Sequence, residues 1–388
     1  MILFAAAAPL SISAAEVSLL IILALSIILV VLHPSKLKLV RLNSWEWALV
    51  IFVFLSFISC LVGTAPKESL RDFHSEFLIS LYIIYSRMVI SKRHFDLILL
   101  VFVIFSFLTA VIGIWQYVHS ASEIGFRAVG TRNLPLTYAE SLLFAIALAI
   151  PFCNDKKALQ KMGRIAILLI FVGGLVVTKS RGPWVAFLLM LAVYEGVRKR
   201  FFPWRTLVLS IFLVVSAKVL NGSFSIRLLS ITDIHNDLSI ADRLYMWKMG
   251  GHMFLDRPFW GYGIGTIGKN FMKLEQKYGS IRLYQDSPIP MVWGELHNTY
   301  LNLAVERGFP SLICLLAFVS LIVKNLWRYI EDPTTMGIFL GLIGFLVAGL
   351  TECVYNDSEI AMLFYMFLGL SVARTRMLDS SESRTDKF

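Results

Sequence analysis

The sequence predicts an all-α, polytopic membrane protein with about twelve transmembrane helices. Of its 388 residues, 57% are hydrophobic and 16% are charged, whereas a soluble domain carries about 25% charged residues. A mean hydropathy of +0.72 excludes an ordinary soluble fold. The four cysteines are scattered and form no CxxC pair, so they predict neither a metal site nor a disulfide framework.

Twelve apolar segments account for the predicted spans, because a membrane-crossing helix needs about 20 mostly apolar residues. The first segment is short, which favours a broken helix or a hairpin with the second. The turn between the seventh and eighth contains Gly182 and Pro183, and Gly308 and Pro310 predict a kink in the long tenth segment. The predicted segments are 2–13, 16–32, 45–63, 75–90, 95–118, 135–152, 165–178, 183–197, 206–220, 297–324, 336–351 and 358–373.

Loops rich in lysine and arginine alternate along the chain with loops that contain few of them, and this alternation predicts the orientation of the chain in the membrane. The rich loops together hold 20 of these residues and the poor loops hold six. The rich set is therefore cytoplasmic, and both termini are predicted there. This bias explains most of the net charge of +10 without a nucleic-acid partner. The rich loops are 33–44, 86–95, 153–164, 195–206, 324–334 and 374–388, and the poor ones are 64–74, 119–134, 178–183 and 351–358.

One long polar loop is predicted on the outer side, with eight Lys or Arg and seven Asp or Glu residues. Helical spacing of apolar residues predicts two short helices in it, at Ser239–Leu255 and at about Thr266–Tyr278. The aromatic, glycine-rich segment Phe259–Gly265 lies between them, so we expect a folded cap. The predicted organisation is transmembrane helices 1–9 in 1–220, the periplasmic loop domain in 221–296, helices 10–12 in 297–373 and a cytoplasmic tail in 374–388.

Two arginines on the predicted outer side are candidates for binding phosphate. Arg181 follows Ser180 at a predicted helix start, where free N–H groups attract anions and the planar guanidinium suits phosphate. The alternative is an arginine that anchors a helix end at the interface. Arg243 is predicted near the start of the first loop helix, where the macrodipole disfavours a cation. Its alternative is a surface interaction with Asp242.

A histidine and several acids complete the candidate site. His297 lies where the tenth segment begins, a position that favours a neutral imidazole able to accept a proton. A lone histidine is more often structural, and Glu306 has the alternative of pairing with Arg307. An arginine-rich site without DxD, HExxH or P-loop motifs suits an anionic leaving group such as a polyprenyl pyrophosphate. Possible supporting residues are Arg127, Arg132, Glu306, Glu352 and Asp357.

These motifs, in this order, make the sequence resemble the O-antigen ligase family, which is related to the O-antigen polymerases. The resemblance spans about 165–315 through its motifs, and the predicted topology extends it across the chain. The residues that carry it are Thr178–Gly182, Arg243 with Trp247, Pro258–Gly265, His297–Leu301 and Glu306–Gly308.

The resemblance implies a glycosyltransferase of the GT-C type in the bacterial inner membrane. It would transfer O-antigen glycan from undecaprenyl diphosphate to lipid A–core oligosaccharide in the periplasm, among membrane lipids, with inversion and with neither metal nor other cofactor. Carried over residue by residue, Arg181 and Arg243 would bind the diphosphate, and His297 would be the essential histidine beside the acceptor hydroxyl. The late acidic residue of the family matches either Glu352 or Asp357.

Three other functions compete with the ligase. A polymerase would use the same donor and extend another lipid-linked glycan, but the other predicted outer loops are short, which favours the ligase. After the ligase and the polymerase, a protein O-glycosyltransferase is a third possible enzymatic function. A transporter of lipid-linked glycans would suit twelve helices, yet transporters usually contain repeats and carry their polar residues near the midplane.

Overall fold

The structure is a computed structural model that describes residues 1–32, 42–120, 125–154, 158–198, 238–278 and 294–385. Seven of the described helices are long and apolar enough to cross a membrane, and Pro333–Ala348 is a shorter apolar helix. The chain is therefore a multi-pass membrane protein without a strand in its described part. The predicted segment 206–220 lies outside the described residues, and the count of twelve spans stays a prediction.

Fifteen α-helices and two short 3₁₀ helices make up the described chain. The 3₁₀ helices are Phe73–Leu78 and Ile150–Asn154. The α-helices are α1 (Ile2–Leu10), α2 (Ile12–Leu32), α3 (Ser44–Val62), α4 (Pro66–Asp72), α5 (Ile79–Met88), α6 (Lys92–His119), α7 (Pro135–Ala149), α8 (Ala158–Val177), α9 (Arg181–Val197), α10 (Leu238–Asp256), α11 (Ile267–Tyr278), α12 (Thr299–Arg307), α13 (Phe309–Trp327), α14 (Pro333–Ala348) and α15 (Ser358–Thr385).

Two of the predicted spans are too short in the structure to cross a membrane as single helices. Helix α1 has nine residues, and α5 has ten and directly follows the 3₁₀ helix Phe73–Leu78. At about 1.5 Å per residue they cover roughly 13–15 Å, about half of a hydrocarbon core. Helix α1 ends before Ser11 and contacts α2, so the first two predicted segments are separate helices joined at one residue.

The long tenth segment is broken at Gly308 into α12 and α13, which confirms the predicted kink. Gly308 has a φ of 82°, in the region that favours glycine, and a Cβ there would clash with the carbonyl oxygen of Phe259. Pro310 lies in the first turn of α13, where its missing N–H is tolerated. Helix α12 is therefore a separate short element.

The helices divide into a buried centre and a periphery with apolar outer faces. In the apolar stretches that contain α7 and α15, 78% and 89% of the residues are buried. In those of α2 and α8, only 17% of the residues are buried. Large apolar side chains such as Leu20, Ile27 and Leu169 remain exposed on the peripheral helices. Continuous exposed apolar faces of this kind mark contact with lipid.

The two predicted loop helices are confirmed as α10 and α11, which share a small core that includes Met246, Met249 and Phe271. The segment between them runs along α12. The Tyr262 backbone N–H donates to the Val305 carbonyl at 2.9 Å, and the Gly263 N–H donates to the Glu306 carbonyl at 2.9 Å. This cap therefore adjoins the element that follows His297.

Candidate active site

His297 precedes α12 by two residues, so the prediction that it lies within the start of the helix is wrong in detail. Asn298 is the N-cap, and its side chain accepts a hydrogen bond from the Leu301 N–H at 2.9 Å. His297 has a φ of 46°, which is rare for a residue other than glycine. Backbone strain of this kind concentrates at functional sites.

The turn after α14 holds the His297 segment in place. The Thr299 N–H donates to the Gly349 carbonyl at 2.8 Å, and the Thr299 hydroxyl donates to the Glu352 carbonyl at 2.8 Å. The Asn298 side-chain amide donates to the Leu350 carbonyl at 2.9 Å. His297 and Glu352 are therefore fixed relative to each other by backbone contacts.

Glu352 joins His297 to Arg243. Its Oε2 lies 2.9 Å from His297 Nδ1, and its Oε1 forms an ion pair with the Arg243 guanidinium. The Glu352 side chain is 3% exposed, whereas those of His297 and Arg243 are 31% and 25% exposed. An ionised carboxylate only accepts hydrogen bonds, so Nδ1 is the donor in this contact, and Nε2 is the proton acceptor of the corresponding neutral tautomer.

Arg243 is predicted near the start of its helix and is the sixth residue of α10, beyond the first turn in which the macrodipole acts, so the macrodipole argument for this residue does not hold. Asp242 was the alternative partner predicted for Arg243, but the structure pairs Arg243 with Glu352. One turn further along α10, the Trp247 indole N–H donates to the His297 carbonyl at 3.4 Å. The cap helix α10 therefore contacts both members of the histidine–carboxylate pair.

Arg181 begins α9, as predicted, and Ser180 is the N-cap. The Ser180 hydroxyl makes no side-chain capping bond and instead accepts from Arg127 Nη2 at 2.8 Å. Arg127 also donates from Nε to the Thr178 carbonyl at 2.9 Å. Arg127, predicted as a possible supporting residue, thus organises the turn that precedes Arg181.

The N-terminus of α9 lies against the turn that carries Glu352. A Cβ placed on Gly182 would lie 2.8 Å from the Thr351 hydroxyl and 4.0 Å from Glu352 Oε1. The backbone at Arg181 is therefore close to the carboxylate that pairs with Arg243, although the two arginines are far apart in sequence. A side chain larger than glycine at 182 would crowd this junction.

The other predicted supporting residues have partners of their own. Asp357 accepts a hydrogen bond from the Thr137 hydroxyl at 2.6 Å, whereas Glu352 is the late acid that contacts His297. Arg132 forms an ion pair with Glu359 and donates to the Ala8 carbonyl at the end of α1. The structure thus separates the two acids that the sequence left as alternatives.

Glu306 pairs with Arg307, which was the structural alternative considered for it. Arg307 Nη1 lies 2.9 Å from Glu306 Oε2, and Arg307 Nη2 lies 2.8 Å from Glu76 Oε1. The Gly265 N–H donates to Glu306 Oε1 at 3.0 Å, and the Tyr355 hydroxyl donates to Glu76 Oε2 at 2.9 Å. We call Glu76, Glu306, Arg307 and Tyr355 the Arg307 cluster.

A cavity of about 620 Å³ lies between His297 and the Arg307 cluster. Burial raises the pKa of the Glu295 carboxyl on its wall, an effect that nearby His297 opposes and Glu352 reinforces. No group of three or more His, Cys, Asp or Glu residues suited to a metal ion occurs in the described part of the chain. The polar residues that line this cavity are Asp72, His74, Ser75, Glu295, His297, Glu306, Arg307, Tyr355, Asn356, Ser358 and Tyr365.

Residues 165–316 match the family model described as O-antigen ligase. The resemblance to the O-antigen ligase family is confirmed. The matched range contains Arg181, Arg243 and His297, and it extends from α8 to the first turns of α13. No curated protein matches the chain. The family supports a ligase-type activity on lipid-linked glycans, without specifying the glycan or the acceptor.

Glu352 lies outside the range matched to the O-antigen ligase family, and so does Glu76. Sequence reasoning named Glu352 as one of two alternatives and did not single out Glu76. The available signal for Glu76 was its place in a predicted membrane segment, where a carboxylate is costly and needs a partner. Glu352 pairs with His297, and Glu76 pairs with Arg307. In both pairs the partners are far apart in the sequence.

Proposed function

We propose that the protein transfers O-antigen glycan from undecaprenyl diphosphate to lipid A–core oligosaccharide at the periplasmic face of the inner membrane. The transfer inverts the anomeric carbon and uses arginine in place of a metal. The observation that best supports this proposal is the shared carboxylate of Glu352. It brings a proton acceptor, His297, next to a phosphate-binding cation, Arg243.

His297 serves as the base that orients and deprotonates the acceptor hydroxyl. Its Nδ1–H is held by Glu352, which fixes the ring and stabilises the imidazolium that forms, as in other histidine–carboxylate pairs. The ring lines the cavity, so a sugar hydroxyl can reach it. A positioned general base contributes about 10²- to 10⁴-fold to a rate.

Arg181 and Arg243 hold the diphosphate. Arg181 is the first residue of α9, and a helix N-terminus and a guanidinium both favour a polyanion. Arg243 gives one donor nitrogen to Glu352, and a guanidinium has five N–H donors, so it can also bind phosphate oxygen. Charge that develops on the departing diphosphate is stabilised by these two residues.

The proposed step balances its atoms and charge. The acceptor oxygen forms a bond to the anomeric carbon while the bond from that carbon to the diphosphate oxygen breaks. The hydroxyl proton moves to His297 Nε2, and the electron pair of the broken bond leaves with undecaprenyl diphosphate. Attack from the face opposite the leaving group inverts the anomeric configuration.

The proposal is tested with purified protein in liposomes that contain undecaprenyl-diphosphate-linked O-antigen and lipid A–core. We expect His297→Ala to lower transfer by at least about 100-fold while donor binding persists. Arg181→Ala and Arg243→Ala should weaken donor binding. Activity should survive EDTA. His94→Ala, at the start of α6, is the matched histidine control.

Normal transfer by His297→Ala would refute the catalytic role. Growth of glycan on the lipid carrier, with lipid A–core left unmodified, would instead identify a polymerase, which has the same donor chemistry. Movement of lipid-linked glycan across the bilayer without a new glycosidic bond would identify a transporter.

A further inference from the structure

The cavity beside His297 has a charge opposite to that expected of a diphosphate site. Asp72, Glu295 and Glu306 line it, and Arg307 is the one permanently charged cation in its described lining. Arg181 and Arg243 are not among the described lining residues. Within the described lining, the cavity therefore contains His297 but neither of the two proposed phosphate-binding arginines.

The positive charge of Arg307 is already compensated. Its guanidinium contacts both Glu76 and Glu306 and lies over the ring of Tyr355, with the centroid 5.4 Å away. Arg307 and both carboxylates are almost fully buried. Because two acids face one arginine, the cluster is neutral or negative and does not attract a second anion.

Neither ionisation state of Glu295 makes the cavity attractive to an anion. With Glu295 ionised, the lining repels an anion, and Asp72 adds a second acid whose partner Arg71 is exposed and is not among the described lining residues. If burial keeps Glu295 protonated, the lining is closer to neutral and still offers no uncompensated arginine or lysine among the residues described. Its hydroxyl, amide and carboxyl groups suit the hydroxyls of a sugar, and about 620 Å³ lies within the usual size of a small-molecule site.

We propose that this cavity binds the terminal sugar of the acceptor glycan and selects against sugars that carry a carboxylate or phosphate next to the accepting hydroxyl. The inference rests on the proposed glycosyl transfer, and it adds the chemical class of acceptor to it. Asp72 and Glu295 act as specificity-determining residues.

The test measures binding without turnover, so that it does not depend on catalysis. Full-length protein in nanodiscs, without donor, is titrated with dephosphorylated core oligosaccharide released from lipid A. It is also titrated with the same oligosaccharide after oxidation of the terminal hydroxymethyl group to a carboxylate. We expect the oxidised form to bind about tenfold more weakly, because like charges are opposed.

Two variants test whether the acidic residues of the cavity wall cause this difference in affinity. Asp72→Asn and Glu295→Gln should each bring the two affinities closer together, mainly by improving binding of the oxidised sugar. Glu68→Gln is the matched control, because Glu68 lies on the same helix α4 as Asp72 and pairs outward with Lys269. If one cavity variant fails to fold, the other carries the test.

Equal affinities for the two sugars, binding of neither sugar, or an unchanged ratio in the cavity variants would each overturn the inference. Selective binding without glycan transfer would leave the inference standing and refute the proposed function. The binding titration and the liposome transfer assay together therefore distinguish the two failures.

Discussion

Replacing Glu352 with glutamine tests the histidine–carboxylate pair with little change in shape. Glu352 is buried and accepts from both His297 Nδ1, at 2.9 Å, and Arg243. Glutamine keeps one acceptor oxygen and replaces the other with a donor NH₂, so it cannot accept from both partners in the same geometry. It also removes the negative charge that would stabilise an imidazolium.

The expected loss follows from the strength of that contact. A hydrogen bond to a charged group contributes about 1.5–3 kcal/mol, and about 1.4 kcal/mol corresponds to tenfold in rate. Turnover should therefore fall by about 10- to 150-fold if the bond is made chiefly in the transition state. The donor KM should not rise, because Arg243 is released from its acidic partner and stays available to phosphate.

The assay is transfer of radiolabelled glycan in proteoliposomes, with turnover and donor KM measured separately across a range of pH. Asp357→Asn is the matched control, because Asp357 lies in the same turn but accepts from Thr137. We expect this control to stay near wild-type turnover. Wild-type turnover and an unchanged pH profile in Glu352→Gln would refute the pair, provided that thermal unfolding shows both variants folded.

Three further predictions concern stability, measured by thermal unfolding in detergent. Glu76→Gln should cost about 1.5–3 kcal/mol, because the buried carboxylate accepts from both Arg307 and Tyr355 and glutamine keeps only one acceptor oxygen, whereas Glu68→Gln at the surface should cost less than about 1 kcal/mol. Gly308→Ala should destabilise the protein, because its φ is 82° and a Cβ clashes with backbone. Burial raises the pKa of Asp332, but bonds from Arg374 and Thr335 outweigh it and hold that pKa below its usual value. Arg374→Ala should therefore destabilise the protein near neutral pH, and its difference from wild type should shrink as pH falls below about 4.

The candidate site was partly accessible to sequence reasoning because three of its parts have local signals. Arg181 follows a serine at the N-cap position, His297 stands at the edge of an apolar segment, and Gly308 with Pro310 marks a break. The sequence did not predict the exact position of Arg243 and His297 relative to their helices. Arg243 lies in the second turn of α10, and His297 lies before the cap of α12 in a left-handed conformation.

The choice between Glu352 and Asp357 had no local signal at all. Both follow the same helix α14 and both are acidic, so composition and spacing treat them alike. The structure separates them through the turn that bonds to Thr299, which turns Glu352 toward His297 and leaves Asp357 with Thr137. Such a choice depends on contacts between residues far apart in the chain.

The sequence by itself determined the membrane class, the apolar helices, the break at Gly308 and the family motifs. These features depend on the composition and periodicity of neighbouring residues, which a linear reading contains. Only the tertiary structure decided that Glu352 joins His297 to Arg243, that Glu76 compensates Arg307, and that a cavity lies between these groups. A buried charge must be paired wherever the fold brings a partner, and apolar periodicity does not record which partner that is.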